Sequence, residues 1–342
     1  MTAKPQDATS ARFDQLTLTP ATLQNLEQLG FAQMTPIQAA SLPVTLAGQD
    51  LIAQASTGSG KTVAFGLPLI ERLQSAGSPS APVQAVILCP TRELADQVTM
   101  EIRRLARARQ NVKVVTLCGG VALRGQTVSL EHGADIVVGT PGRILDHLER
   151  GSLSLAGVNT LVLDEADRML DMGFFDDIAK VVRQCAKDRQ TLLFSATYPE
   201  GIDKLAAQFM RQPKTIQVEA QHSEHKIRQI FFEVSESERL HAVSSILAHY
   251  RPERTLVFCN TKQQCRDVVA VLQAQGLSAL ALYGELEQRE RDQVLVQFAN
   301  RSCSVLVATD VASRGLDVQG LEAVINVDVT PDPEIHIHRI GR

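Results

Sequence analysis

Residues 55–62, ASTGSGKT, have the composition of a loop that holds a chain of phosphates. Glycines at 58 and 60 would let successive backbone N–H groups curl around phosphate oxygens, and a helix starting at Lys61 would add its positive end. Ser59 and Gly60 would belong to the cradle, Lys61 would neutralise the outer phosphates, and the Thr62 hydroxyl would ligate Mg2+. Such loops usually begin with glycine, and here Ala55 stands in that place. The plain alternative is a glycine-rich turn before a helix. The apolar run at 51–53 and the intact Gly-Lys-Thr argue against it.

A second cluster is acidic: Asp164, Glu165 and Asp167 follow the apolar run at 161–163. A carboxylate at the C-terminal edge of a parallel strand beside a phosphate loop can hold the metal that bridges the phosphates. Asp164 is the candidate for Mg2+, through water. Glu165 is placed to orient and deprotonate an attacking water. The plain alternative is an acidic helix start that complements the helix dipole, and the phosphate loop upstream argues against it.

These side chains need rigid supports. Apolar, β-branched runs at 86–89, 114–117, 136–138, 160–163, 191–194 and 216–218 read as strands. Between them lie helical patterns, such as the face formed by Leu94, Val98, Ile102 and Leu105. Strands that are apolar throughout and alternate with helices predict a parallel α/β sheet. The rhythm pauses at 219–226, EAQHSEHK, and restarts with runs at 229–234, 255–258, 279–282, 304–307 and 323–327. Cys265, Val268, Val269 and Leu272 mark a helix that ends near Gly276. The expected organisation is a polar tail over 1–12, a first domain over 13–218, a linker over 219–226 and a second domain over 227–342.

Composition narrows the class. With 342 residues, 44% hydrophobic and 21% charged, the chain reads as two globular domains and not as a disordered or fibrous protein. No apolar run is long enough to span a membrane, and the first eleven residues lack the apolar core of a secretion signal. Six cysteines without a C-x-x-C pair fit reduced thiols in a cytoplasmic protein, and the spacing of Cys259 and Cys265 suits no common metal site. The net charge of -4 excludes a uniformly basic nucleic-acid coat but leaves room for a local basic groove. Arg103, Arg104, Arg107 and Arg109 read as a solvated helix face.

The phosphate loop and the Asp164-Glu-Ala-Asp167 segment together resemble the DEAD-box ATP-dependent RNA helicases. Further segments follow in the family's order. Gly30-Phe31 and Thr35-Pro-Ile-Gln38, with Phe13 upstream, are similar to its Q motif. Pro90-Thr-Arg-Glu-Leu94, Gly119-Gly120 and Thr140-Pro-Gly-Arg143 are similar to its RNA-contacting motifs. Ser195-Ala-Thr197 corresponds to motif III, Val257-Phe-Cys-Asn260 to motif IV, Ala308-Thr-Asp310 through Asp317 to motif V, and His338-Arg-Ile-Gly-Arg342 to the start of motif VI. The wording of CPTRELADQV, TPGRILDHL and LEQRERDQVLVQFAN is most similar to the bacterial DbpA type.

The resemblance implies two RecA-like parallel-sheet domains in tandem, of the P-loop NTPase class and helicase superfamily 2, with ATP in the cleft between them. By the same resemblance, Gln38 reads the adenine edge, Phe31 stacks on the base, and Gly315 and Asp317 approach the ribose and phosphates. Arg342 becomes an arginine finger, acting with Lys61 and Glu165 in hydrolysis. Ser195, Thr197 and Asp167 couple the phosphate site to the domain interface, and Arg339 supports motif VI through interdomain contacts. RNA backbone contacts fall to Arg92, Gly120, Thr140 and Arg143 on the first domain, and to Asn260, Gly284, Arg291 and Thr309 on the second. Binding is then expected to be salt-sensitive and independent of sequence.

Tyr283-Gly-Glu285 and Ser313 depart from the family's common wording. The family's motif VI runs on past Arg342, so a helicase core with an incomplete second domain is expected. Such a core would lack the RNA recognition domain through which DbpA-type members choose their target in large-subunit ribosomal RNA. The expected activity is RNA-stimulated ATP hydrolysis that opens short duplexes or remodels RNA–protein complexes, by a monomer with no membrane partner. Three alternatives remain at this point: an ATP-gated RNA clamp, a DNA translocase of the same superfamily, and a P-loop ATPase acting on protein.

Overall fold

The computed structural model describes residues 11–55, 58–74, 82–198, 200–218, 227–310, 320–330 and 333–340. The chain forms two compact units, Met1–Ala220 and Gln221–Arg342.

In the first unit, β1 (Leu51–Gln54), β2 (Ala85–Leu88), β3 (Val114–Leu117), β4 (Ile136–Gly139), β5 (Thr160–Leu163), β6 (Gln190–Ser195) and β7 (Lys214–Gln217) form one sheet. Its order is β3-β4-β2-β5-β6-β1-β7, and all the strand pairs are parallel. The central strands β2, β4, β5 and β6 are buried along their whole length. That follows from helices on both faces: Ile87, Leu192 and Phe194 point into the core shared with Ile37, Phe65 and Val98, whereas Val86, Leu88 and Leu193 point into the opposite core with Ile144, Met169 and Ile178.

Helix starts are encoded locally. Thr91 begins the helix Arg92–Leu105, its hydroxyl accepting from the Leu94 N–H at 3.3 Å. Thr35 and Gln38 form a capping box at the helix Pro36–Leu46. Because every strand runs the same way, the segments that follow β1 to β6 emerge along one edge of the sheet. The sequence candidates of the first domain from Ser59 to Thr197 lie on that edge.

The second unit carries β8 (Thr255–Cys259), β9 (Ala279–Leu282), β10 (Val305–Thr309) and β11 (Ala323–Asn326), in the order β11-β8-β10-β9 and again parallel. Val257, Cys265 and Val307 pack on one face, and Phe258, Phe298 and Leu306 on the other. The helix expected to end near Gly276 spans Lys262–Ala274 and is capped by the Thr261 hydroxyl. Asn260, Gly284 and Thr309 all sit at the carboxyl ends of their strands.

The run at 229–234 differs from its expectation. It forms no strand, and Ile230, Phe231, Phe232 and Val234 are exposed. Its residue types suit a strand, but strand preference reflects fit against neighbouring strands, and among the described residues none pairs with it. The polar stretch at 219–226 lies outside the described residues.

Candidate nucleotide site and nucleic-acid face

The phosphate loop leaves β1 and enters the helix Lys61–Glu71. Gly58 and Gly60 have φ of 76° and 90°, in the left-handed region where a side chain is strained. A Cβ on Gly60 would also collide with the Gln38 amide. Lys61 is 7% exposed, and among the described residues its ammonium has no hydrogen-bond partner. A buried cation without a partner is costly unless a ligand supplies the opposite charge. Thr62 follows in the first turn of the helix. Glycines bent open around a buried ammonium fit a polyphosphate.

Asp164 lies at the end of β5 and is buried. Burial pushes its carboxyl up to about 6, against the opposing pull of the Lys61 charge. A desolvated carboxylate facing a phosphate cradle fits a hard divalent cation, which would favour its ionised form. No group of three or more metal-ligating side chains exists among the described residues, so phosphate and water oxygens would have to complete any magnesium shell.

Glu165 has φ of 50°, uncommon for a residue with a side chain, and caps the helix Ala166–Asp171. Its carboxylate accepts from the Arg168 guanidinium at 2.7 Å, with the two side chains 4% and 7% exposed. Arg168 was missed in the sequence, although the i,i+3 spacing on a helix that begins with an acid was there to be read. Asp167 ties the acidic segment to the end of β6. Its Oδ2 accepts from the backbone N–H of Ala196 at 3.1 Å and of Thr197 at 2.8 Å, and from the Thr197 hydroxyl at 3.0 Å. The Ser195 hydroxyl accepts from the Asp167 N–H at 3.3 Å. Asp167 and Ser195, both buried, and the half-buried Thr197 are thus brought together as one cluster.

Gln38 is placed beside the loop, but its amide is engaged at both ends. The oxygen accepts from the Thr35 N–H at 2.9 Å, and the nitrogen donates to the Gly60 carbonyl at 3.1 Å. This glutamine therefore fixes the shape of the phosphate loop. Phe31 is half-buried and meets Phe13 edge to face, with ring centroids 6.4 Å apart, so at least part of this ring serves the core.

The other half of the same sheet edge carries the nucleic-acid candidates. Arg92 is half-buried at the helix start that follows β2, and Gly120 is exposed with φ of 77°. Thr140 is the N-cap of the helix Pro141–Glu149 and makes no capping bond with its side chain. Arg143 donates to the Val121 carbonyl at 3.1 Å and to Gln126 at 2.8 Å, and lies 3.4 Å from Asp146.

In the second unit, Arg339 is 1% exposed and sits under the carboxyl edge of the sheet. It donates to both oxygens of Asp310 at 2.6 Å, to Asn260 at 2.9 Å, and to Asn326 and the Asp328 carbonyl at 3.2 Å each. A guanidinium has five N–H donors, and these bonds use all of them inside one unit. That differs from the expected interdomain role: burial directs the side chain at its own sheet. It holds Asn260, a nucleic-acid candidate, by the side-chain oxygen. Gly284 and Asn260 are exposed, and Arg291 and Thr309 are half-buried. Gly315, Asp317 and Arg342 lie outside the described residues, as does Ser313.

The DEAD/DEAH box helicase family matches residues 35–205, and the helicase conserved C-terminal domain matches residues 238–342. The chain is 52% identical over 325 residues to the ATP-dependent RNA helicase DbpA of Escherichia coli K12, covering 95% of this chain and 70% of that protein. The chain belongs to the DEAD-box RNA helicase family. Within the family it is of the DbpA type, and the ATP-dependent RNA helicase activity expected from the motifs stands with that membership. It is also 42% identical to the DEAD-box ATP-dependent RNA helicase CshA of Streptococcus pneumoniae, covering 97% of this chain and 63% of that one. Among solved structures, S. cerevisiae Dbp5 bound to RNA and ADP BeF3 matches with a TM-score of 0.85 at 29% identity, covering 97% of this chain and 86% of that one. A DEAD-box protein from the hyperthermophile Methanococcus jannaschii matches with a TM-score of 0.58 at 41% identity, covering 97% and 89%. These neighbours agree with the two parallel-sheet α/β domains read from the sequence. No helix of the described residues is long and apolar enough to cross a membrane.

Proposed function

We propose that this chain hydrolyses ATP in response to RNA and uses the cycle to open short RNA duplexes or remodel RNA–protein complexes, with its target in large ribosomal subunit assembly in the cytoplasm. The observation that carries the proposal is the buried Lys61 ammonium, without a hydrogen-bond partner among the described residues, beside the desolvated Asp164 carboxyl. A nucleoside triphosphate with a divalent cation offers oxygens to the ammonium and a cation to the carboxyl. Lys61 binds the outer phosphates, with Ser59 and Gly60 in the cradle. Thr62 and Asp164 would hold Mg2+, which when bound offsets the negative charge that develops on the phosphates. Glu165 orients the attacking water, and the Asp167–Ser195–Thr197 cluster transmits the state of the phosphate site. Gln38 and Phe31 border the base. Arg342, Gly315 and Asp317 are assigned to the nucleotide from the family motifs alone.

RNA is the proposed partner, as it is in the solved Dbp5 complex. Arg92, Gly120, Thr140 and Arg143 in the first domain, and Asn260, Gly284, Arg291 and Thr309 in the second, stand at the carboxyl edges of the two sheets. Their chemistry suits sugar and phosphate contacts. Residues 219–226 are proposed as the connector between domains spanning 13–218 and 227–342, and the working unit as a monomer.

The Glu165–Arg168 ion pair favours a second reading, an ATP-gated RNA clamp with slow turnover, because a carboxylate oxygen already held by a guanidinium is less available to orient a water. The deciding experiment measures ATP hydrolysis with single-stranded RNA, with DNA of the same sequence and with neither, alongside strand separation of a short RNA duplex. RNA-specific stimulation with strand separation supports the helicase reading. Nucleotide-dependent RNA binding without separation supports the clamp. Equal stimulation by DNA refutes the RNA assignment.

A further inference from the structure

We infer that Gln126 and His147 are positioning residues for the nucleic-acid face of the first domain, acting through Arg143 and the turn at 118–121. The inference rests on the RNA reading proposed above. Gln126 lies on the helix Leu123–Glu131 and His147 on the helix Pro141–Glu149, and both are buried. The Gln126 amide joins three segments. Its nitrogen donates to the Cys118 carbonyl at 2.8 Å, and its oxygen accepts from Arg143 at 2.8 Å and faces His147 Nε2 at 3.1 Å.

The geometry admits one arrangement. A rotated amide would set its nitrogen against the Arg143 donor and its oxygen against the Cys118 carbonyl. The oxygen has two lone pairs, and Arg143 fills one, so His147 Nε2 must carry a proton to fill the other. His147 Nδ1 is then the acceptor, and the Ser152 hydroxyl, 2.8 Å away, is its donor. Burial, and next the Arg143 charge, favour this neutral imidazole.

The consequence falls on the turn. Its Cys118 carbonyl is tied by Gln126 and its Val121 carbonyl by Arg143. Among the described residues, no hydrogen bond is made by the N–H groups of Gly119 or Gly120. The network therefore turns carbonyls inward and leaves two N–H groups free beside a guanidinium, an arrangement suited to one backbone phosphate.

The test measures the RNA concentration that gives half-maximal ATPase stimulation. Gln126→Met keeps the side-chain volume and removes all three contacts. It is expected to raise half-saturation about tenfold, while kcat at saturating RNA and KM for ATP stay within about twofold. The salt slope of RNA binding should flatten by about one, as for Arg143→Met. In an Arg143→Met background, Gln126→Met should add less than about twofold, because both act on one contact. Full multiplication of the two effects overturns the inference. So does an unchanged half-saturation in Gln126→Met when Arg143→Met weakens RNA. If Gly120→Ala, Arg143→Met and Gln126→Met all leave half-saturation unchanged, the RNA reading of this edge fails and the inference with it. Should Gln126→Met not fold, Gln126→Glu carries the test: it keeps the acceptor contacts, loses the donor to Cys118, and should raise half-saturation severalfold, with no change counting against the inference.

Discussion

Replacing Arg168 by methionine removes one charge from a buried pair and keeps most of the side-chain volume. Glu165 and Arg168 are 4% and 7% exposed and 2.7 Å apart, so solvent screens the pair little. Loss of one member of such a pair leaves the other desolvated and uncompensated, at a cost of about 3–5 kcal/mol. Glu165 also carries a left-handed backbone, with φ of 50°, which adds strain the pair helps to hold. For a domain of this size, about 1 kcal/mol corresponds to roughly 2–4 °C, so Arg168→Met should lower the melting temperature of the first domain by roughly 6–20 °C. Differential scanning calorimetry on the single variant, on Glu165→Gln and on the double variant forms a cycle. The double variant should be less destabilised than Arg168→Met alone, because it buries no lone charge. An Arg168→Met transition within about 2 °C of the parent, or a double variant that melts lower than that single one, would refute the reasoning.

Three further outcomes are expected. Gly60→Ala should weaken ATP binding at least about tenfold by isothermal titration, since it sets a Cβ against the Gln38 amide at a φ of 90°; an unchanged affinity would remove Gln38 from the shaping of the loop. Arg339→Met should destabilise the second domain by about 3–5 kcal/mol and speed hydrogen exchange at 305–310, because Asp310 and Asn260 lose their common donor; exchange equal to the parent's would contradict that. His147 has its pKa lowered in the fold, chiefly by burial, so the unfolded chain binds the extra proton first. Its contribution to stability is therefore complete above the unfolded value of about 6.5 and is lost as pH falls through the lower folded value, and urea titrations should show this loss in the parent but not in His147→Gln.

The parts of the molecule readable from sequence are those whose cause is local. The glycines of the phosphate loop, the Thr91 and Thr261 caps and the apolar strands other than the run at 229–234 each depend on residues within a few positions, and they appear in the structure. Arg168 was readable by its spacing from Glu165. The Gln126–His147 bond joins residues 21 positions apart on two different helices, and no local pattern marks it. The Arg339 contacts reach back 79 residues to Asn260 and 29 to Asp310, which is why a motif alone could not tell an internal strut from a bridge between domains. At 229–234 the residue types are those of a strand, yet pairing is a property of two segments, and one sequence segment holds half of that information.

The place of β1 in its sheet bears on how the protein is made. β1 lies between β6 and β7, and Gln54 reaches Ala196 across 142 positions of sequence. The Ala55 N–H at the root of the phosphate loop is bonded to Ser195. A ribosome therefore releases the loop long before the strand that braces it. Through that interval the growing polypeptide carries apolar runs such as 51–54 and 85–88 with no sheet to close them, the condition under which slow, non-local pairings invite aggregation. Nucleotide capture should switch on late in synthesis, once β6 has left the exit tunnel.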